Sequence, residues 1–174
     1  MTRVGRRRIG ALQISAFVLL SMSAFPGAPP YDPLAISKNV SVQTSNLTVR
    51  DAARKRDIPI RVYLPPETSA SPGVIFSHGL GGAREGNPFM GNHWAARGYV
   101  AVFIQHPGSD TSVWQDKPLG QRLAEMKRAA SLENFMLRVK DVPAVLDQLE
   151  IWNRTGGHVL SGRMDLKRVG MSGH

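Results

Sequence analysis

Apolar and polar positions follow two different rhythms along this chain. Between Asn39 and Leu64 the rhythm is that of half-buried strands. Val40, Val42, Leu47 and Val49 fall among Ser, Thr and Gln, and Ile58, Ile60, Val62 and Leu64 alternate with Pro59, Arg61 and Tyr63. The first stretch, Asn39 to Val49, reads as an edge strand. The second is expected to avoid a central position, because Pro59 lacks a ladder donor. Around the charged turn Asp51 to Asp57 the two make an antiparallel pair. Val74 to Ser77 and Tyr99 to Ile104 are then short unbroken apolar runs, the pattern of strands buried on both faces. Between them Asn87-Pro88 reads as an N-cap and first-turn proline, Phe89, Met90 and Trp94 recur at helical spacing, and Gly98 is the stop. From Leu123 to Trp152 a longer helical pattern puts Leu132, Phe135, Met136, Val139, Val142, Leu146 and Leu149 on one face, expected to cover the sheet. Pro143 is expected to kink or split this helix. Arg168 to Met171 starts a further strand. Strands alternating with helices predict an α/β fold with a mostly parallel sheet and flanking helices, entered through the antiparallel N-terminal pair.

The start of the chain has a separate character. Arg3, Arg6, Arg7 and Arg8 precede an apolar run from Ile9 to Phe25, and small residues then lead into Pro26-Gly27-Ala28-Pro29-Pro30. This is the layout of a secretory signal peptide with cleavage near Ala24 or Ala28, and Arg6-Arg7-Arg8 also permits a twin-arginine route. The run is nearly long enough for an uncleaved membrane anchor, the alternative reading of residues 1–28. Residues 29–174 are then the folded domain. The formal charge of +9 falls to +5 without those four arginines, 18 basic residues against 13 acidic. The remainder is scattered apart from Arg54-Lys55-Arg56, which carries no interleaved aromatic and reads as a solvated loop. Nucleic acid is therefore not an expected partner. There is no cysteine, so thiol catalysis and disulfides are excluded.

Candidate chemistry concentrates where the first buried strand ends, in Ser77-His78-Gly79-Leu80-Gly81-Gly82. A glycine-rich turn after a strand serves three chemistries. The phosphate loop of nucleotide-binding proteins needs a Gly-Lys-Ser/Thr that Gly86-Asn87-Pro88 does not supply. A dinucleotide fingerprint needs a third glycine where Arg84 stands and an acid where the next strand ends in Gln105-His106. Two readings survive: a loop whose backbone N–H groups face the oxyanion of an ester intermediate, and an ordinary tight strand-to-helix turn. His106, with Pro107-Gly108-Ser109-Asp110 behind it, falls at the carboxyl edge of the sheet, where it is either a pocket residue or a histidine bonded to backbone. His158 has no metal-ligand spacing to any partner.

Taken in order, His78-Gly79-Leu80-Gly81-Gly82, Trp94-Ala95-Ala96-Arg97-Gly98-Tyr99, Gln105 to Asp110, and Gly162 to His174 with its Asp165-x-x-Arg168-Val169-x-x-x-Gly173-His174 resemble a branch of the α/β-hydrolases. This branch holds the platelet-activating-factor acetylhydrolases and dienelactone-hydrolase-like enzymes, and the resemblance covers most of residues 29–174. It implies the N-terminal part of an α/β-hydrolase, incomplete at the C-terminus: in the family the last strand runs into Gly-His-Ser-x-Gly, and Gly173-His174 would be the remnant of that elbow. Ser172 lies in Gly170-Met171-Ser172-Gly173, but His174 stands where the elbow's last glycine belongs, so Ser172 is not taken as the nucleophile. The resemblance further implies that the Leu80 backbone N–H is an oxyanion donor, that Gly79, Gly81 and Gly82 shape its loop, and that His78 is structural. The triad acid and histidine would lie beyond residue 174. The implied reaction is cofactor-free and metal-free hydrolysis of a small-molecule or lipid-like ester through an acyl-enzyme. A different class of reading is a non-catalytic anchored α/β binding module or pseudoenzyme.

Overall fold

The computed structural model describes Asp32 and residues 40–173. Residues 1–28, read above as a signal peptide or membrane anchor, most of the Tyr31 to Lys38 lead-in, and His174 lie outside the described residues. Among the described residues no helix is long and apolar enough to cross a membrane.

The strands are β1 (Gln43–Asp51), β2 (Arg56–Leu64), β3 (Ser71–Ser77), β4 (Val100–Ile104) and β5 (Met164–Gly173). They form one sheet in the order β1-β2-β4-β3-β5. β2 is antiparallel to both β1 and β4, whereas β4 and β5 run parallel to β3. The sheet is thus mixed, parallel only where the crossover helices connect it. β2 is interior, contrary to the expectation from Pro59. Its ladder with β4 starts at Ile60, and the Pro59 carbonyl accepts from Gln105 N–H at 2.8 Å, so the face of Pro59 that lacks a donor looks past the end of β4 and costs no ladder bond.

Alternation sorts the strands' side chains into two cores. Ile60, Val62, Ile75, Val100, Val102 and Ile104 pack with Val145, Leu149, Leu160 and Met164 on one face. Tyr63, Phe76, Ala101 and Phe103 pack with Ala95, Met90 and Trp94 on the other. The first face is covered by α3 (Leu132–Arg154) and the second by α1 (Pro88–Ala96). Gly91 sets the approach of α1, because a Cβ there would lie 2.5 Å from the Tyr63 ring. Asn87 occupies the N-cap position of α1, yet it is left-handed at φ 55 and makes no side-chain cap bond.

The long helical pattern does divide, but not at Pro143. It breaks at Ala130-Ser131 into α2 (Leu119–Ala129) and α3, where the Ser131 hydroxyl accepts the Asn134 N–H at 3.1 Å and starts a new helix. Pro143 lies inside α3 on its exposed side, and the helix runs on through it to Arg154. The expected core face of α3 holds only in its second half. Leu132 is 76 % exposed and Phe135 59 %, and Met136 and Val139 are also exposed, while Val145 and Leu149 are buried.

Candidate active site

Three chain segments meet at the carboxyl edge of the parallel strands: residues 78–82 after β3, residues 105–110 after β4, and the end of β5. Gly81 N–H donates to Ser109 O at 2.8 Å, Thr111 N–H donates to Gly82 O at 2.9 Å, and Gly82 bridges Asp110. The indole of Trp114 donates to Gly81 O at 2.8 Å. Gly81 has φ 74, a backbone conformation that favours glycine, and a Cβ there would also crowd the Trp114 indole at 2.9 Å. β5 pairs with β3 in register up to Ser77 and Gly173; a Cβ on Gly173 would lie 2.6 Å from Ser77 O. Whatever follows β5 therefore starts beside the root of the glycine loop.

Within that loop two consecutive N–H groups are spent, Gly81 on Ser109 and Gly82 on Gly79 O at 3.0 Å. The N–H of Leu80 makes no hydrogen bond among the described residues, and Leu80 is 41 % exposed. Its direction is fixed by the other end of the same peptide unit. Gly79 O accepts both Gly82 N–H and His78 Nδ1–H, the latter at 2.7 Å, and in a trans peptide the N–H points opposite the carbonyl.

His78 is held neutral. Its Nδ1 faces a carbonyl and must carry the proton, and its Nε2 accepts the His106 backbone N–H at 3.1 Å. Burial pushes its pKa below the ordinary histidine range, against the opposing Gly79 bond. His106 is fully buried, so it is not the pocket-wall residue that the sequence offered as one alternative. Its Nδ1–H donates to Asp141 Oδ2 at 3.0 Å and its Nε2 accepts the Ser77 hydroxyl at 3.0 Å.

Ser77, His106 and Asp141 thus carry the hydrogen-bond pattern of a nucleophilic triad. Two features make it structural. Ser77 is buried at the end of β3, where no substrate carbonyl reaches it. The Asp141 charge is also already taken: Arg56 forks onto it at 2.8 and 2.9 Å and Arg54 adds a bond at 2.9 Å. Burial would raise that carboxyl's pKa, but the bonds from His106, Arg56 and Arg54 outweigh it and hold the pKa at about 2. Burial lowers the His106 pKa despite its carboxylate partner. That makes its Nε2 a weaker base toward a serine proton.

The glycine loop follows β3, where the sequence reading put it, but that reading missed the contacts of Arg54, Arg56, Arg138 and Asp141. Arg54-Lys55-Arg56 is not a solvated loop, since two of its three cations close on the buried Asp141. The missed signal was an acid within an apolar helical pattern. Ser172 sits in register with Phe76, and its hydroxyl has no hydrogen bond among the described residues. Beside Leu80 opens a groove of about 440 Å³, its wall formed by Ala130, Leu132 and Phe135 and its polar side by Ser109 and Arg138. No cluster of three metal-ligating side chains occurs among the described residues.

No protein-family model matches the chain, and no curated protein matches it. Solved structures do. A ferulic acid esterase from Streptomyces cinnamoneus superposes on 85% of this chain and 54% of its own, with TM-score 0.52 and 19% identity. A protein from Klebsiella pneumoniae subsp. pneumoniae assigned as a dienelactone hydrolase gives TM-score 0.54 at 14% identity, over 76% and 50%. A cold-adapted esterase from an Arctic intertidal metagenomic library gives 0.50 at 17%, over 80% and 55%. The chain spans about half the length of these structures. Likeness at such identities reports the path of the backbone, and by that path this chain has the α/β-hydrolase fold.

Proposed function

We propose that this chain is the amino-terminal part of an exported serine hydrolase acting on short-chain carboxylic esters, acetyl esters or lactones. The observation that carries the reading is the Leu80 N–H, unspent among the described residues, in an exposed residue of the loop whose root at Ser77 pairs with the end of β5. A serine following His174, as in the Gly-His-Ser-x-Gly of the resembled family, would follow β5 at this same sheet edge. That serine attacks the ester carbonyl, the developing oxyanion takes the Leu80 N–H, and the acyl-enzyme that forms as the alcohol leaves is released by water. Two of the structures that share the fold are named esterases and one is assigned as a dienelactone hydrolase; an ester substrate for this chain is the corresponding proposal. Export rests on the Arg-rich start and the Ile9 to Phe25 run.

The deciding experiment compares two substitutions in the full-length protein. Leu80→Pro deletes the donor and is expected to lower kcat for a nitrophenyl ester by about a hundredfold, whereas Leu80→Ala keeps it and costs far less. Circular dichroism checks that both fold. Equal losses in two folded variants would assign the effect to the side chain and defeat the donor reading. Export is tested separately by sequencing the N-terminus of the protein from its host, expected between about residues 24 and 31.

A further inference from the structure

We infer that Arg138, with Asp141 one turn further along α3, is a positioning residue that holds the root of the oxyanion loop and so keeps the Leu80 N–H aimed at the reacting oxygen; this rests on the hydrolase reading above. Arg138 Nη2 donates to the His78 carbonyl, and its Nη1 donates to Ser109 Oγ at 3.1 Å. These two acceptors belong to the two segments that pair to make the loop. Ser109 O in turn receives Gly81 N–H, and Ser109 Oγ donates to His106 O at 3.3 Å. One guanidinium therefore ties both sides of the loop to the helix, through the planar fork that only arginine offers.

Asp141 acts on the same residue by a second route. It fixes the His106 ring; the His106 backbone N–H fixes His78 Nε2; and His78 Nδ1–H fixes Gly79 O, the carbonyl end of the peptide that carries the Leu80 N–H. His78 is thus held at its carbonyl from Arg138 and at its ring through Asp141. Arg138 forms no ion pair at contact distance among the described residues, while Asp141 has two arginines of its own. The charge of Arg138 is left to strengthen its bonds to the loop, since a charged donor roughly doubles such a bond.

The test uses the full-length protein and the variants Arg138→Met and Arg138→Lys. Two readouts are taken: amide hydrogen exchange over residues 78–84, and kcat and KM on a nitrophenyl ester. Arg138→Met is expected to speed exchange in this segment about tenfold or more and to lower kcat about a hundredfold, with KM within about twofold of the parent. Arg138→Lys, which keeps a charged donor without the fork, is expected to recover part of both, and it carries the test if the methionine variant does not fold. Unchanged exchange and kcat in folded Arg138→Met overturns the inference. So does a change confined to KM, which would make Arg138 a wall of the neighbouring groove. If the parent protein turns over no ester, the hydrolase reading falls, and the exchange measurement alone still decides whether Arg138 orders the loop.

Discussion

The two halves of α3 face inward with opposite chemistry. The second half presents Val145 and Leu149 to the sheet, as an amphipathic helix should. The first half turns Asn134, Arg138 and Asp141 inward to the loops and leaves Leu132, Phe135, Met136 and Val139 exposed. Asn134, Arg138, Asp141, Val145 and Leu149 follow one another at intervals of four, three, four and four, so a single geometric stripe is polar under the site and apolar over the core. The comparison teaches that hydrophobic periodicity locates a helix more surely than it gives its rotation. Where a helix runs past a sheet edge, its inward positions are set by the loops it must hold.

Four measurements press on this contrast. The largest effect is expected at the polar end. Asp141→Ala strips the shared partner from Arg54, Arg56 and His106 and should cost about 4 kcal/mol of unfolding free energy by urea denaturation, because buried charges are left uncompensated; a cost under about 1 kcal/mol would show that the polar half is no more than surface. At the apolar end Leu149→Ala should cost about 3 kcal/mol in the same assay, through lost transfer energy and a cavity.

The third measurement separates the halves by pH. The Asp141 carboxyl falls from 3.8 to about 2 on folding, so its contribution is present above pH 3.8 and is lost as the pH drops toward 2. The parent should lose about 2 kcal/mol more than Asp141→Asn over that window; parallel curves would remove the carboxylate from the account. Smallest of all, Phe135→Ser should change stability by less than about 0.5 kcal/mol. A cost above about 2 kcal/mol in the full-length protein would instead show that a further segment covers this face.

Much of the architecture was legible because it is local. Two-residue alternation gave β1 and β2, unbroken apolar runs gave β3 and β4, and the glycines after His78 announced a tight turn, in which the structure gives Gly81 a φ of 74. The candidate donor Leu80 came from a resemblance carried by that same short motif. The buried network was not legible in this way. Arg54 and Arg56 lie 87 and 85 residues from the carboxylate they bind, and nothing in a charged hairpin turn says that its cations will be buried.

What the sequence determined by itself is therefore the set of elements and the loop between β3 and α1, since helix, strand and turn preferences act over a few residues. The tertiary structure decided that β2 sits inside the sheet, that α3 turns its polar stripe toward the loops, and that His106 is a buried link instead of a pocket wall. Each of these depends on which distant segments come into contact. A buried charge is tolerable only where another part of the chain delivers its partners.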